Sequence, residues 1–429
     1  MKKIIIYSLC AIVFIISSLY YVSNNSFPKL KSFAETKLPK NIYVLGKFLF
    51  NNKTNTLRNL NDYNVKFLPQ TEFIDLKFTK IKIHELKKES QGYLAAYKRK
   101  QFSYHFAQYK NYILLAAPGG EILFSNINSI KNPQNIFEKI QHNINDLTFS
   151  FRDIIIDSDK IYVSVDDNIG NDCNVIKVFV AKIDNLQKIN FKNLFSSTEC
   201  MSNMAGGQLQ TWMHNGEKSI LLSTSADILK NNDESDTKPQ DDNSIYGKIL
   251  VINTKNGNFE IFSKGHRNSL GLYADIENNI ILNTENGPKG GDEINSIIFG
   301  KNYGWDIASY GRRYDPSQYN EDVVNYKLSH EDSGFQEPIF SFVPSIGITE
   351  IIKLNNNFSK QWFNNYLIGS MNSRHLYRVK FNNEFTKVLF YEKIYIGERI
   401  RDLFYLSDKR QILMALEETG SIGFLELMN

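Results

Sequence analysis

The amino-acid sequence predicts an all-β fold, a six-bladed β-propeller. Short apolar runs of roughly four to eight residues alternate with Gly, Asn, Asp and Lys turns almost to the end of the chain, a pattern typical of β-strands. Many runs also form pairs joined by a short polar turn and followed by a long loop. KIYVSV with VIKVFVAKI, and NYLIGSM with HLYRVKF, are two such pairs.

The spacing of these pairs sets the number of blades. They recur at irregular intervals of about 40 to 60 residues, as expected of four-stranded blades, and roughly 350 residues then make six of them. A large β-sandwich or a β-helix is the alternative, but neither explains why long Gly- and carboxylate-rich loops recur between the units. Only residues 132–144 are expected to be helical.

The chain begins with the features of an export signal. Lys2 and Lys3 precede an uncharged apolar run over residues 4–22, which is about long enough to cross a ~30 Å hydrocarbon core as a helix. We expect residues 1–23 to be an uncleaved signal anchor, because bulky tyrosines stand where a cleaved signal peptide has small residues. A cleaved signal peptide is the alternative.

The rest of the chain divides into two parts. Residues 24–69 lack a clear hydrophobic period and are expected to form a tether and lead-in segment, and residues 70–429 form the propeller. Because positive charge stays on the cytoplasmic side of a membrane, we expect both parts on the periplasmic side. There the protein is either anchored to the inner membrane or secreted.

Composition excludes some classes of partner. The 50 basic and 46 acidic residues are well mixed and give a net charge of +4, so the sequence carries no basic footprint for nucleic acid. We therefore expect no nucleic-acid partner, and contact with the membrane only through the N-terminal segment.

Three cysteines fit an exported protein. Cys10 lies in the apolar run, which leaves Cys173 and Cys200 as the pair that an oxidising compartment would join. Two buried free thiols are the alternative.

Residues 265–305 have the composition of a functional site. They hold seven of the 24 glycines, together with Glu285, Asp292 and Glu293. In the stretch 287–293, Gly and Pro residues allow carbonyl oxygens to turn inward beside two carboxylates, and Ca²⁺ takes oxygen ligands of both kinds. A surface turn with solvated acids is the alternative.

Arginines stand in two further loops. Arg267 follows Gly265 and His266 at a loop position where its planar fork could meet a carboxylate or a quinone oxygen. Residues 398–402 place two arginines on one strand face, although a self-paired charge cluster would look the same. His266 is interpreted as a structural hydrogen-bonding residue rather than a base.

Four motifs of the chain together resemble one family. GHRNSLGL, TENGPKGGDEIN, NYGW and RIRD, in this order on an all-β chain, are similar to the PQQ-dependent soluble aldose sugar dehydrogenases, the glucose/sorbosone dehydrogenase family. The resemblance is dense over residues 206–315 and thins out before about residue 149. It implies a divergent member of that family, with a six-bladed propeller fold.

The resemblance implies a quinone cofactor, PQQ, bound at four polar residues. The family's Arg-Asn pair corresponds to Arg267 and Asn268, and its Arg-x-Arg pair to Arg399 and Arg401; both pairs face the anionic cofactor. In the family reaction a His takes a proton from the anomeric hydroxyl of the sugar while hydride passes to the quinone.

The resemblance also implies Ca²⁺. The Gly-Pro carbonyls that hold the ion beside the quinone correspond to Gly287 and Pro288. A further metal site of the bacterial aldose dehydrogenases corresponds to Glu293 and Tyr303.

The sequence departs from the family at the base. The catalytic His belongs to a motif like NHFGGRL, and residues 203–209 read NMAGGQL, so Met204 stands at the base position. A Met side chain cannot accept the proton. A cofactor-contacting Gln falls near Thr148 and a frequent Lys falls at Asn372. We expect the proton to go elsewhere, with Asp227 or a water as candidates, or the site not to oxidise sugars.

Three functions are compatible with these residues. The first is an exported, membrane-tethered PQQ-dependent aldose dehydrogenase with an altered active site, transferring hydride from sugar C1 to PQQ with assistance from calcium. The second is a non-catalytic calcium-binding propeller that binds a saccharide or a protein partner. A calcium-dependent lactonase-type hydrolase is the third, but no arrangement of acid and metal-bound water is singled out for it.

Overall fold

A computed structural model describes most of the chain after residue 73. The described residues are 74–87, 101–132, 134–144, 149–170, 173–201, 206–226, 237–312 and 326–428. The predicted anchor and the predicted tether lie outside these ranges. Within them no helix is long and apolar enough to cross a bilayer.

The regular secondary structure of the described residues is almost entirely β-strand, with short 3-10 helices at Glu331–Ser333 and Ser407–Lys409. The strands in chain order are β1 Leu76–Lys82, β2 His105–Tyr109, β3 Tyr112–Ala117, β4 Glu121–Asn126, β5 Glu138–Lys139, β6 Gln141–His142, β7 Phe149–Asp157, β8 Lys160–Asn168, β9 Asn174–Lys182, β10 Lys188–Ile189, β11 Lys192–Ser196, β12 Gly206–His214, β13 Glu217–Thr224, β14 Lys248–Asn253, β15 Phe259–Lys264, β16 Ser269–Asp275, β17 Ile280–Glu285, β18 Asp292–Ile297, β19 Phe340–Phe342, β20 Ile348–Lys353, β21 Tyr366–Ser370, β22 His375–Phe381, β23 Val388–Tyr395, β24 Ile400–Leu406, β25 Gln411–Leu416 and β26 Ser421–Leu427.

These strands form six four-stranded antiparallel sheets and a two-stranded pair, β6 with β10, in the described part of the chain. The innermost strands of the six sheets are β2, β7, β12, β16, β20 and β24, and each contacts the next so that the last contacts the first. This closed ring confirms the predicted all-β, six-bladed propeller, with blades numbered 1 to 6 in that order.

The ring is closed by pairing the two ends of the propeller chain. Blade 6 takes β24, β25 and β26 from the C-terminus, and β1 completes it as the outermost strand. The register runs from Leu76 opposite Leu427 to Lys82 opposite Ser421. Closure through hydrogen bonds leaves few exposed sheet edges, which a propeller must avoid.

The core lies between the blades. Strand β3 illustrates this arrangement. Its residues Ile113 and Leu115 pack towards blade 6, whereas Leu114 and Ala116 pack towards blade 2. Successive side chains of a strand point to opposite faces, so a strand covered on both faces is apolar throughout. This requirement explains the continuous apolar runs in the sequence.

Buried carboxylates tie neighbouring innermost strands together. Asp153 accepts the Leu209 N–H at 2.7 Å, which joins blade 2 to blade 3. Asp402 accepts the Phe106 N–H at 2.6 Å, which joins blade 6 to blade 1. Both side chains also accept the N–H of the residue that follows them. The bonds to Ile154 and Leu403 lie beside bulges in β7 and β24, where the strand ladder is interrupted.

The prediction of a helix over residues 132–144 is wrong. The segment forms turns and two-residue strands, of which β5 extends blade 1 and β6 pairs with β10. Asn132 accepts the Gln134 N–H at 3.0 Å, a turn that competes with a helix. Pairing at the sheet edge thus outweighs the local helical tendency.

Cys173 and Cys200 form the disulfide that the sequence predicts, with Cα atoms 4.8 Å apart. The bond ties the entry to β9 to the segment after β11. Its cysteines are 27 residues apart in the chain.

We expect removal of this disulfide by the double substitution Cys173→Ser and Cys200→Ser to lower the free energy of unfolding by about 3–4 kcal/mol, since a loop of this length restricts the unfolded chain by about that amount. Urea unfolding of the variant and of the oxidised and reduced parent measures it. The reduced parent should match the variant. A variant as stable as the oxidised parent contradicts the prediction.

Candidate functional site

The predicted site residues that the structure describes gather at one rim of the propeller, called here the upper rim. Each blade has four antiparallel strands, so the chain enters every innermost strand from the same side, and the second strand of each blade ends there. Glu285 thus lies opposite Ser269, and Leu416 lies opposite Ile400. Both arginine loops belong to this rim.

Arg267 is fixed by its own chain. Its Nη1 donates to the carbonyl oxygens of Asn286 at 2.7 Å and Gly287 at 2.9 Å. The guanidinium carbon lies 5.2 Å from the centroid of a ring of Trp305, a cation–π distance. Asn268 is buried beside it, and its Oδ1 has no hydrogen-bond partner among the described residues. An acceptor and a guanidinium are thus held ready for a polar ligand.

His266 has a structural environment, in agreement with its interpretation from the sequence. Its Nε2 lies 2.8 Å from Ser263 Oγ and its Nδ1 lies 2.9 Å from Glu285 Oε2. The ring stacks on Tyr303 with centroids 4.7 Å apart. With both ring nitrogens engaged and the side chain fully buried, His266 is not placed to act as a base on a ligand.

Asp292 anchors the Gly-rich loop through main-chain amides. One carboxylate oxygen accepts the Gly287 N–H at 3.1 Å. The other accepts three successive N–H groups of blade 5, from Ile346 at 2.9 Å, Gly347 at 2.7 Å and Ile348 at 3.0 Å. Both oxygens of Asp292 therefore bind main-chain amides, so of the two loop carboxylates only Glu293 stays a candidate to bind a cation.

The loop carbonyls are also engaged. Gly287 O accepts from Arg267, and Pro288 O accepts from Ser345 Oγ at 3.3 Å. A cation held by these two oxygens must displace or share donors of the chain. The fit to Ca²⁺ at this point is therefore incomplete in the present conformation.

Glu293 lines a small pocket, with room for about one water molecule, together with Glu285, Ser309 and His330. Burial raises the pKa of Glu293 well above its usual range, and the charge of Glu285 raises it further. Burial lowers the pKa of His330 to about 4, and Glu285 opposes this shift. A buried, electronegative cavity of this kind favours a cation.

The donor set in this cavity is sparse. His330 Nε2 lies 3.6 Å from Glu293 Oε1, and its Nδ1 has no hydrogen-bond partner within the described ranges. The Tyr303 hydroxyl donates to Ser296 O and accepts the Ile298 N–H, so it is already satisfied. No three His, Cys, Asp or Glu side chains of the described residues are arranged to hold a metal ion. A cation here would be coordinated by Glu293 together with main-chain and water oxygens, a ligand set that suits Ca²⁺.

Arg399 and Arg401 share one buried carboxylate. Arg399 Nε donates to Glu417 Oε2 at 2.9 Å, and Arg401 donates to Glu417 Oε1 at 2.5 Å. The Glu417 side chain is fully buried, whereas the two arginines keep about a fifth of their side-chain surface exposed. The two arginines therefore present two guanidinium groups, but together with Glu417 they carry a net charge near +1. Glu417 was not among the residues predicted from the sequence.

A hydrogen-bonded path joins the two arginine loops. Arg399 Nη1 donates to Asn372 Oδ1 at 3.3 Å, and the Asn372 N–H donates to Ile346 O at 2.9 Å. The Ile346 N–H in turn is held by Asp292, which also holds Gly287. Blade 5 thus connects the two predicted halves of the cofactor site.

Three residues singled out in the sequence lie outside the described ranges. They are Thr148, Met204 and Asp227. The described chain resumes at Gly206, directly after the segment in which the resemblance places the family's catalytic His.

Comparison with known proteins agrees with this fold. Residues 125–423 match the family model described as Glucose / Sorbosone dehydrogenase. An aldose sugar dehydrogenase of Escherichia coli is 26% identical over 260 residues, which are 56% of this chain and 65% of that protein. The curated relatives are each matched over less than two thirds of their own length, between 17% and 65%.

Solved structures share the architecture. The apo-form of soluble aldose sugar dehydrogenase from Escherichia coli has a TM-score of 0.63 at 20% identity, covering 82% of this chain and 99% of that chain. The PQQ-bound aldose sugar dehydrogenase from Streptomyces coelicolor has a TM-score of 0.55 at 14% identity, covering 83% and 100%. At these identities the likeness establishes the fold.

Proposed function

Because the chain belongs to the glucose/sorbosone dehydrogenase family, we propose that it binds a quinone cofactor of the PQQ type at the upper rim and oxidises an aldose there. The observation that carries the proposal is the joining of Arg267 and Asn268 to Arg399 and Arg401 through one network at this rim. Guanidinium groups that are already oriented are the groups that bind carboxylates best.

Different residues of the chain would bind different groups of the cofactor. Arg267 lies over a ring of Trp305 and is held by two carbonyls, so it would meet a quinone oxygen with little loss of side-chain entropy. Arg399 and Arg401 would meet the cofactor's carboxylates with their exposed edges, while Glu417 holds both side chains in place. When bound, the cofactor supplies the hydride acceptor.

The proposed reaction needs a proton acceptor other than residue 204. In the family pattern a His stands where this chain has Met204, and a thioether cannot take the proton at neutral pH. The reaction therefore depends on another group of the chain or on water.

We propose that a calcium ion binds at Glu293. The buried carboxylate, its neighbour Glu285 and the cavity favour a cation, whereas the Gly287 and Pro288 carbonyls are held by donors of the chain. An ion beside the quinone would require Arg267 to release Gly287 O when the cofactor arrives.

We expect Ca²⁺ to raise the thermal unfolding temperature of the wild-type protein relative to EDTA, and Glu293→Gln to abolish the rise. The variant should also be more stable than the wild type in EDTA, because it removes a buried carboxylate beside Glu285. Differential scanning calorimetry measures both effects. An equal transition temperature of the wild-type protein in Ca²⁺ and EDTA would argue against a calcium site.

Export forms a further part of the proposal. Residues 1–23 would carry the propeller to the periplasmic side and tether it to the inner membrane, and the disulfide between Cys173 and Cys200 suits that oxidising compartment. Fractionation of cells that express the full chain tests the location. Recovery in the cytoplasm contradicts it.

The activity is tested by reconstituting the purified protein with PQQ and Ca²⁺ and measuring dye reduction with a panel of aldoses. We expect PQQ-dependent turnover of at least one aldose. Uptake of PQQ without turnover of any aldose would instead favour a non-catalytic propeller that binds a saccharide or a protein partner.

A further inference from the structure

Asp166, near the end of β8, has one carboxylate oxygen held and one without a donor. Its Oδ2 accepts from Arg152 Nη2 at 2.6 Å. Its Oδ1 is shielded from solvent and has no hydrogen-bond partner among the described residues. Buried carboxylate oxygens are nearly always satisfied, so an unsatisfied one is a place where a ligand hydroxyl or a water is expected.

The strand register places Asp166 on the upper rim. It pairs with Ser150 near the start of innermost strand β7, as Glu285 pairs with Ser269 in blade 4 and Leu416 with Ile400 in blade 6. Asp166 therefore occupies, in blade 2, the level that the predicted cofactor loops occupy in blades 4 and 6. About 15% of its side chain remains exposed.

The ion pair also lies against the start of blade 3. A Cβ atom on Gly207 would stand 2.4 Å from Arg152 Cβ, so only glycine allows the two strands to approach this closely. Ser164, two residues before Asp166, donates to Gly207 O. Gly207 belongs to the stretch 203–209 that resembles the family's base motif, so the Arg152–Asp166 pair packs against a described residue of that motif.

We propose that Asp166 is the proton acceptor of this chain, a role that rests on the proposed sugar oxidation. The O–H bond of the C1 hydroxyl breaks and its proton passes to Asp166 Oδ1, directly or through one water. The C1–H bond breaks with both electrons going as hydride to the quinone, and a C1–O double bond forms. The aldose is thereby oxidised to the lactone and the quinone is reduced.

The chemistry of the pair suits this role. A carboxylate accepts protons, and the guanidinium on Oδ2 fixes the direction in which Oδ1 points. A positioned general base contributes typically 10²- to 10⁴-fold to a rate. Arg152 acts here as a positioning residue and does not contact the reacting atoms.

The first test is Asp166→Asn, which keeps the shape and removes the proton acceptor. At full PQQ occupancy, followed by absorption, we expect sugar-dependent reduction to slow by about 100-fold or more, with PQQ affinity unchanged. In Asp166→Ala, added formate should restore part of the rate, which a merely structural role does not predict. The matched control is Asp167→Asn, on the same strand but paired with Lys177, which should keep wild-type turnover.

The second test needs no cofactor. Calorimetry of the same aldose with the cofactor-free protein should show roughly tenfold weaker binding to Asp166→Ala, because a hydrogen bond to a charged group is lost. A crystal structure of that complex should place the C1 hydroxyl or a bridging water within hydrogen-bonding distance of Oδ1.

The outcomes separate this proposal from the function on which it rests. Equal turnover by wild type and Asp166→Asn overturns it, and so does a wild-type protein that binds PQQ and oxidises no aldose. A wild-type protein that binds no PQQ overturns the proposed function. The aldose affinity of the cofactor-free protein then tests the contact between Asp166 and the sugar. A tenfold loss of affinity in Asp166→Ala supports this contact, and equal affinity rejects it.

Discussion

Replacing Asp292 with Ala is expected to lower the free energy of unfolding by about 4 kcal/mol or more. The side chain is fully buried and accepts four main-chain N–H groups, one from the Gly287 loop and three from blade 5. Each buried amide left without an acceptor costs about 1–3 kcal/mol. Asp292→Ala should therefore also displace the Gly287 loop and weaken PQQ binding.

Urea unfolding followed by tryptophan fluorescence measures the loss, and Asp292→Asn is the matched control. The amide keeps one acceptor oxygen and the side-chain volume, so its loss should be smaller. If Asp292→Ala unfolds within about 1 kcal/mol of the wild type, a typical loss for any substitution, the anchoring role is wrong.

Replacing Glu417 with Ala is expected to cost about 3–5 kcal/mol, because it leaves Arg399 and Arg401 close together and without their shared partner. An anionic ligand should offset part of this loss. Addition of PQQ should therefore raise the unfolding midpoint of Glu417→Ala more than that of the wild type. An equal rise in both proteins would mean that the ligand does not contact these arginines.

The pairing of Glu417 with the two arginines also predicts how the stability of the protein changes at acidic pH. Burial alone would raise the pKa of Glu417, but Arg401 and Arg399 lower it below its ordinary value of 4.5. A carboxyl whose folded-state pKa is depressed contributes stability above its ordinary pKa, and that stability is lost as the pH falls through the folded-state pKa. Between pH 6 and about pH 3 the wild type should therefore lose more stability than Glu417→Gln, whose side chain does not titrate.

The fold could be predicted from the sequence because strands and turns place local demands on residue type. Strands covered on both faces must be apolar throughout, and the turns between them must carry Gly, Asn or Asp, so both leave a readable pattern. The segment 132–144 misled because its apolar positions fit a helix about as well as a sheet edge. Pairing of β5 and β6 with distant strands decided between them.

The site was predictable only in part. Arg267, Arg399 and Arg401 stand in motifs, and the structure brings all three to the upper rim. The chain gave no local sign of which loop carboxylate faces inward: Asp292 and Glu293 are neighbours, yet one binds amides and the other lines a cavity.

Partners from other segments were missed for a similar reason. Glu417 comes from the far end of the hairpin that begins at Arg399, and the register of Ile400 opposite Leu416 could have indicated it. His330 reaches the Glu293 cavity from a long loop with no pattern of its own. Asp166 required the register of blade 2, which the sequence does not specify.

The central claim is that the arginines of the upper rim bind a quinone cofactor, and a titration of the purified protein with PQQ, followed by its absorption spectrum, tests it most directly. We expect saturable uptake of one PQQ per chain at micromolar concentration, and at least tenfold weaker uptake by Arg267→Gln, since one charge-assisted hydrogen bond is worth about 1.5–3 kcal/mol. Absence of uptake by the wild-type protein in the presence of Ca²⁺ would contradict the claim.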